Sequence, residues 1–125
     1  MAHILVVDDD PAIRQLLTDV LEMEGHEVRS EPDGLAAVRR LEFIRPDCVV
    51  LDVMMPGLDG YGVLRSIRAQ DGDPIPVIML TAAAEPDTAA RAWGDGVDYF
   101  LAKPFKADQV LDLVDALLGD RLPTV

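Results

Sequence analysis

The chain has a single cysteine and few basic residues. With Cys48 alone, no internal disulfide can form. Because this cysteine lies in an apolar run, it is expected to be a small core residue. Lys and Arg number 11 against 23 Asp and Glu, for a formal net charge of −12. Such a chain repels nucleic-acid backbones and anionic lipid surfaces, so we expect no direct nucleic-acid binding and no membrane binding.

Long apolar runs and low-complexity segments are also absent from the sequence. The N-terminus leads directly into the run Ile4–Val7, which is too short to span a membrane, and we expect no signal peptide. We therefore expect a cytoplasmic protein. Because 125 residues, half of them hydrophobic, suit one globular domain, we predict a single domain over 1–125. Residues 119–125 are expected to be a tail or the start of a linker.

Short β-type apolar runs alternate with helical patterns along the whole chain. The Asp10-Pro11 pair predicts the start of the first helix, since Asp caps helices and Pro suits their first turn. The second strand is the least apolar and is expected near a sheet edge. Continuous apolar strands separated by helices predict a five-stranded parallel, doubly wound α/β sheet with five helices. The predicted strands are 4–7, 26–30, 48–51, 77–80 and 97–102, and the fourth helix is predicted near 87–93.

Polar residues follow four of the predicted strands at the point where each strand ends. Asp8-Asp9-Asp10 follows the first strand, Asp52 the third, Thr81 the fourth and Lys103 the fifth. The carboxyl ends of parallel strands meet at one edge of a sheet, where doubly wound folds bind their ligands. We therefore expect these side chains to form one site.

The residue types at this edge favour phosphoryl transfer with Mg²⁺. Three neighbouring carboxylates require a cation to stay ionised, and an all-oxygen cluster suits Mg²⁺. Zinc is not favoured, because His3 and His26 lie apart in the sequence and Cys48 is alone. A carboxylate such as Asp52 can attack a phosphoryl donor and form an aspartyl phosphate. Lys103 and the hydroxyl of Thr81 would then bind phosphoryl oxygens.

Four motifs together resemble the CheY-like response-regulator receiver domain of two-component signal transduction. They are Val6-Val7-Asp8-Asp9, Leu51-Asp52-Val53-Met54-Met55-Pro56, Leu80-Thr81-Ala82 and Lys103-Pro104-Phe105. The resemblance extends from about Ile4 to Leu118. It implies a flavodoxin-like sheet of strand order 2-1-3-4-5 and a phosphorylation-dependent signalling switch. The phosphoryl donor would be a sensor histidine kinase or a phosphotransfer protein, and Mg²⁺ the cofactor.

The resemblance also implies individual roles. Asp52 is the phosphoacceptor, and the phosphoryl group is bound by Thr81, Lys103 and the backbone amides of Val53 and Ala82. The metal ligands are Asp8 (through water), Asp9, Asp52 and the backbone carbonyl of Met54. Thr81 and Phe100 form the switch that alters the surface of the fourth helix, fifth strand and fifth helix. The Lys103-Pro104 bond is expected to be cis.

Some positions differ from the family pattern or bear on partners. Trp93, the only tryptophan, falls on the face that receivers use for partners, and we hypothesise an interaction surface there. Met54 and Ala83 occupy positions that set phosphoryl lifetime in the family. Because neither side chain can orient a water by hydrogen bonding, we predict slow self-dephosphorylation. Leu113 and Asp120 stand where the winged-helix transcription-factor subfamily has arginines through which its receiver domains form dimers. The resemblance therefore does not imply that particular dimer, and both a monomer and a phosphorylation-dependent dimer remain open.

Three other functions are conceivable for a chain of this kind. A phosphatase of the haloacid-dehalogenase type needs a second Asp two residues after its nucleophile, and this chain has Met54 there. Nucleotide binding is disfavoured because neither a Gly-x-Gly-x-x-Gly motif after a strand nor a phosphate-binding loop motif is found. A phosphorylation-independent adaptor remains an alternative, although the presence of Asp9, Asp52, Thr81 and Lys103 argues against it. We expect no turnover of free substrate, only catalysis by the domain of its own phosphorylation and dephosphorylation.

Overall fold

The computed structural model describes residues 2–82, 94 and 96–119. These residues form five strands and four helices. The strands are β1 (His3–Val7), β2 (Glu27–Glu31), β3 (Cys48–Asp52), β4 (Val77–Thr81) and β5 (Tyr99–Ala102). The helices are α1 (Pro11–Met23), α2 (Gly34–Leu41), α3 (Gly60–Arg68) and α4 (Ala107–Leu118). The helix predicted near 87–93 lies outside the described residues, together with Ala83 and Trp93.

All neighbouring strands pair in parallel, in the order β2-β1-β3-β4-β5. This confirms the predicted strand order and places β2 at an edge. Every residue of β3 and β4 is buried, whereas β2 and β5 contain none that is fully buried. The continuous apolar runs thus correspond to the centre of the sheet, where helices cover both faces.

Two hydrophobic clusters lie on opposite faces of the sheet, because successive side chains of a strand point to opposite sides. Leu5 and Val7 join the cluster that includes residues of α2 and α3. Ile4 and Val6 join the cluster that includes residues of α1 and α4. The whole sheet is therefore held between two helical layers, which fixes the strand ends relative to one another.

Three helices begin at an aspartate whose side chain accepts a backbone N–H bond. Asp10 caps α1, Asp33 caps α2 and Asp59 caps α3. After α1, Gly25 has a φ of +89°, a conformation that favours glycine and ends the helix. The longest helix of the described part, α1, has 13 residues, and none there is long and apolar enough to cross a membrane.

The fifth strand is shorter than predicted, since it begins at Tyr99 rather than at Val97. The carboxylate of Asp98 accepts the N–H of Val77 at 2.8 Å and so occupies a donor at the start of β4. Arg68 donates to the same carboxylate at 2.9 Å and to the carbonyl of Gly96. The backbone N–H of Asp98 also donates to the carbonyl of Val77 at 3.1 Å, so these side-chain contacts supplement a backbone bond at this end of the sheet.

Candidate metal and phosphoryl-acceptor site

Three aspartates meet at the carboxyl ends of β1 and β3. Asp8 and Asp9 follow β1, and Asp52 is the last residue of β3. One carboxylate oxygen from each residue lies within 4.8 Å of the other two. Asp8 is fully buried and Asp52 is 3% exposed, while Asp9 faces solvent. The cluster thus combines two buried acids with one that is open to solvent.

Lys103 supplies positive charge to the two buried acids. Its Nζ lies 3.1 Å from Oδ2 of Asp8 and 3.3 Å from Oδ1 of Asp52. The backbone N–H of Lys103 donates to the carbonyl of Thr81 at 2.6 Å, which joins the ends of β4 and β5. The peptide bond between Lys103 and Pro104 is cis, as predicted. The sheet therefore brings Lys103 to the acidic cluster.

The turn that follows β1 holds Asp8 in place. Oδ1 of Asp8 accepts the backbone N–H of Asp10 at 2.9 Å. Arg14, in the first turns of α1, donates through Nη1 to the carbonyl oxygen of Asp8 at 2.7 Å. We did not predict this role for Arg14. Its only sequence signal is its place five residues after Asp9, on a helix that begins beside the site.

Burial and the neighbouring charges shift the pKa values of both Asp52 and Lys103. Burial, with the neighbouring charge of Asp8, raises the pKa of Asp52 to about 6, although the ion pair with Lys103 acts to lower it. Burial acts to lower the pKa of Lys103, but contacts with Asp8 and Asp52 outweigh it, and the pKa is raised. Lys103 is therefore charged at neutral pH, and Asp52 is largely ionised there.

The donor set fits a hard divalent cation. Clustered carboxylate oxygens are the ligands that Mg²⁺ takes in proteins, usually with retained waters. Because Asp9 is exposed beside two buried acids, waters of a bound ion can stay in contact with solvent. With −3 from the carboxylates and +1 from Lys103, the group keeps a net negative charge that a divalent cation would offset.

The three residues whose backbone groups are predicted to act in the site, Val53, Met54 and Ala82, differ in exposure and in hydrogen bonding. The N–H of Val53 donates to the carbonyl of Leu80 at 2.9 Å, so its predicted contact with a phosphoryl group would require this bond to break. The donor is already used in the continued pairing of β3 with β4. Ala82 follows β4 directly and is exposed, and Met54 is 71% exposed at the mouth of the loop after Asp52.

The two predicted switch residues lie on adjacent strands. Thr81 is the last residue of β4 and is 1% exposed. Phe100 pairs with Met79 and is partly buried against the cluster of α2 and α3. Since Met79 and Thr81 are two residues apart on one strand, Thr81 and Phe100 are on the same face of the sheet. This placement is compatible with coupling between them. The predicted surface at Trp93 lies outside the described residues.

The order of the strands and the acids at their ends define a doubly wound α/β protein with a candidate metal site at its topological switch point. Residues 4–115 match the family model described as the response regulator receiver domain. The chain belongs to this family, and it is homologous to proteins that act as phosphorylation-dependent signalling switches. Receiver domains are phospho-acceptors rather than enzymes that turn over a free substrate.

Two curated relatives are transcriptional or response regulators. The chain is 38% identical over 126 residues to the DNA-binding dual master transcriptional regulator RpaA of Synechocystis sp., covering 98% of this chain and 52% of that protein. It is 43% identical over 121 residues to response regulator MprA of Mycobacterium sp., covering 97% of this chain and 52% of that protein. The chain thus spans about half the length of the curated relatives it matches.

Solved receiver structures share the fold. The chemotaxis protein CheY4 of Vibrio cholerae superposes with a TM-score of 0.89 at 31% identity, covering 94% of this chain and 99% of that one. The receiver domain of sensor histidine kinase PA1611 from Pseudomonas aeruginosa gives 0.85 at 35% identity, covering 94% and 98%. That structure is described as having a magnesium ion coordinated in its active-site cleft.

Proposed function

We propose that this domain is a switch that accepts a phosphoryl group on Asp52 from a phosphohistidine of a sensor kinase or phosphotransfer protein. The observation that carries the proposal is the placement of Lys103 between Asp8 and Asp52, beside a three-carboxylate cluster at the strand ends. This arrangement provides a nucleophile, a fixed positive charge and oxygen ligands for a metal within one small volume.

The acceptor reaction is a substitution at phosphorus. A carboxylate oxygen of Asp52 attacks the phosphorus, the P–N bond of the phosphohistidine breaks, and the imidazole leaves with that electron pair and takes up a proton. Lys103 then exchanges its contact with Asp52 for one with a phosphoryl oxygen. The hydroxyl of Thr81 and the exposed amide of Ala82 are proposed as further donors. The amide of Val53 could join them only by giving up its bond to the carbonyl of Leu80.

Asp8 (through water), Asp9, Asp52 and the backbone carbonyl of Met54 would hold Mg²⁺. When bound, the ion would offset the negative charge that the phosphoryl group adds to the carboxylates. Asp8 has its own task, because the contacts with Asp10 and Lys103 fix both of its oxygens. It therefore holds Lys103 close to the acceptor whether or not Asp52 is phosphorylated.

The output is proposed to follow from a change at Thr81 and Phe100 that reaches the surface near β5 and α4. RpaA is named as DNA-binding, but this chain spans about half of that protein. Because the domain has a net charge of −12, which repels nucleic-acid backbones, we propose that it controls a protein partner or an attached effector rather than contacting nucleic acid itself. We also propose that residues 1–125 form a single domain and that the protein is cytoplasmic. The domain would catalyse its own phosphorylation and dephosphorylation.

Intact-mass spectrometry tests the acceptor directly. After incubation with acetyl phosphate and Mg²⁺, the protein is expected to gain one phosphoryl group, and the gain is expected to disappear with EDTA or in Asp52→Asn. The matched control is Asp10→Asn, since Asn caps a helix as well as Asp does and Asp10 lies outside the three-carboxylate group. If the wild type forms no adduct with acetyl phosphate and none with a purified phosphotransfer protein, the phosphorylation-independent adaptor would be favoured.

The phosphoryl group is expected to persist after the donor is removed. Met54 is 71% exposed beside the acceptor, and its thioether cannot align a water for attack on phosphorus. Decay of the adduct, followed by intact mass after desalting into Mg²⁺ buffer, is expected to take many minutes. Met54→Gln, which adds a donor and an acceptor at similar length, is expected to shorten that time. Decay of the wild type within seconds would contradict the prediction.

A further inference from the structure

The end of the acceptor strand is in direct backbone contact with the start of α3. The N–H of Gly60 donates to the carbonyl of Val53 at 2.9 Å. Asp59 caps the helix through the N–H of Gly62 at 3.0 Å. The loop 54–59 is therefore closed at its base by Val53 and Gly60, and its conformation depends on how closely the two approach.

Gly60 is packed against the backbone of the acceptor itself. A Cβ at this position would overlap with the carbonyl oxygen of Asp52, and it would lie 2.8 Å from Cα of Val53 and 3.0 Å from Cε of Met79. Gly60 is a helical residue without a positive φ, so any residue could adopt its backbone conformation. The requirement for glycine at 60 is therefore one of space against the acceptor backbone.

We infer that Gly60 is a positioning residue for the phosphoacceptor. This inference rests on the proposed function of Asp52. A side chain at 60 pushes on backbone atoms of Asp52 and Val53, which cannot rotate away as a side-chain end can. Both the Asp52 carboxylate and the carbonyl of Met54, two residues further on, would then move relative to Asp8 and Asp9. Misplacement of about 1 Å at a reacting group can cost roughly a hundredfold in rate.

Two other glycines provide matched controls within the same region. A Cβ at Gly62 would overlap only with the end of the Leu58 side chain, which can turn aside. A Cβ at Gly34 would overlap with the backbone carbonyl of Leu58, and its nearest atoms belong to Leu58 and Val63 rather than to the acceptor backbone. Gly62→Ala thus tests the effect of a methyl group on α3, and Gly34→Ala tests a backbone clash away from the acceptor.

The experiment compares the three alanine variants with the wild-type chain. Urea unfolding shows that each is folded. Amide resonances of Asp52 and Val53 in metal-free protein report acceptor position, a Mg²⁺ titration gives the dissociation constant, and intact mass with acetyl phosphate gives the phosphorylation rate. We expect Gly60→Ala to shift both resonances, to weaken Mg²⁺ binding and to slow phosphorylation by about tenfold or more. Gly62→Ala is expected to stay within about twofold of the wild type.

Several outcomes would overturn the inference. One is a folded Gly60→Ala protein with wild-type resonances and Mg²⁺ affinity. A second is an equal effect of Gly34→Ala on all three site measurements. A third is the loss of cooperative unfolding in Gly60→Ala, since the glycine would then be required for the fold rather than for the acceptor position. If the wild type forms no adduct, the proposed function fails, while the resonances and the Mg²⁺ affinity still decide the role of Gly60.

Discussion

Asp52→Asn is expected to make the metal-free protein more stable, although it removes the acceptor. The pKa of Asp52 is about 6 in the folded protein against an ordinary value of 3.8. The folded state therefore binds this proton more tightly than the unfolded chain, so stability is lost as pH rises from 3.8 to about 6. Asparagine carries no such charge. We expect a gain on the order of 1–3 kcal/mol in the free energy of unfolding at pH 8 in EDTA.

The pH dependence separates this effect from a change in packing. The advantage of Asp52→Asn is expected to be full at pH 8 and to vanish near pH 4, where the wild-type carboxyl is largely protonated in the folded state. Urea unfolding at the two pH values measures it, with Asp10→Asn as the control for loss of an exposed acid. Electrostatic strain would be ruled out as the cause if Asp52→Asn is less stable than wild type at pH 8. It would also be ruled out if the variant gains as much stability over wild type at pH 4 as at pH 8.

Lys103→Met is expected to have the opposite effect on the same site. The substitution leaves the fully buried Asp8 without its ion pair and removes the positive charge that contacts Asp52. Methionine keeps a similar length and volume, so the loss reports mainly charge. We expect a decrease of about 2–4 kcal/mol in the free energy of unfolding in EDTA at pH 8. Phosphorylation by acetyl phosphate is expected to fall by roughly tenfold or more, because a phosphoryl oxygen loses its positive partner.

Two further measurements make the Lys103 prediction specific. Saturating Mg²⁺ is expected to restore part of the lost stability, since the cation replaces the missing positive charge among the acids. The cost of Lys103→Met is expected to be smaller in an Asp52→Asn background, because one fewer carboxylate is then left uncompensated. Lys106→Met, three residues along at an exposed position, is the control. Equal stability of the two methionine variants would contradict the argument.

The sheet could be predicted from local sequence alone. The runs at β1, β3 and β4 are apolar at almost every position because both faces are covered, and this pattern needs no knowledge of distant residues. Asp10 and Asp33 likewise indicate where helices begin, because each side chain accepts a backbone N–H only two or three residues further along the chain. The start of β5 was predicted two residues too early, since the contact of Asp98 with Val77 joins positions 21 residues apart.

The members of the site could also be predicted, because parallel strands bring their carboxyl ends to one edge. Their relations to one another could not. The sequence places Asp8 and Asp9 side by side, but only the packing of the sheet buries the first and exposes the second. The bond of the Val53 amide to Leu80 was likewise not foreseen, because it depends on the pairing of β3 with β4 one residue past the acceptor.

The sequence by itself therefore determined the fold class, the strand order implied by its family resemblance, and the residue types available for chemistry. The tertiary structure decided how they act together: Lys103 lies 95 residues from Asp8 along the chain yet 3.1 Å from it in space. The contacts of Arg14 with the Asp8 carbonyl and of Gly60 with the acceptor backbone join residues close in sequence, but they too depend on how α1 and α3 pack against the strand ends. Patterns of polarity report what each segment prefers locally, whereas burial, ion pairing and backbone approach arise only when separate elements pack against each other.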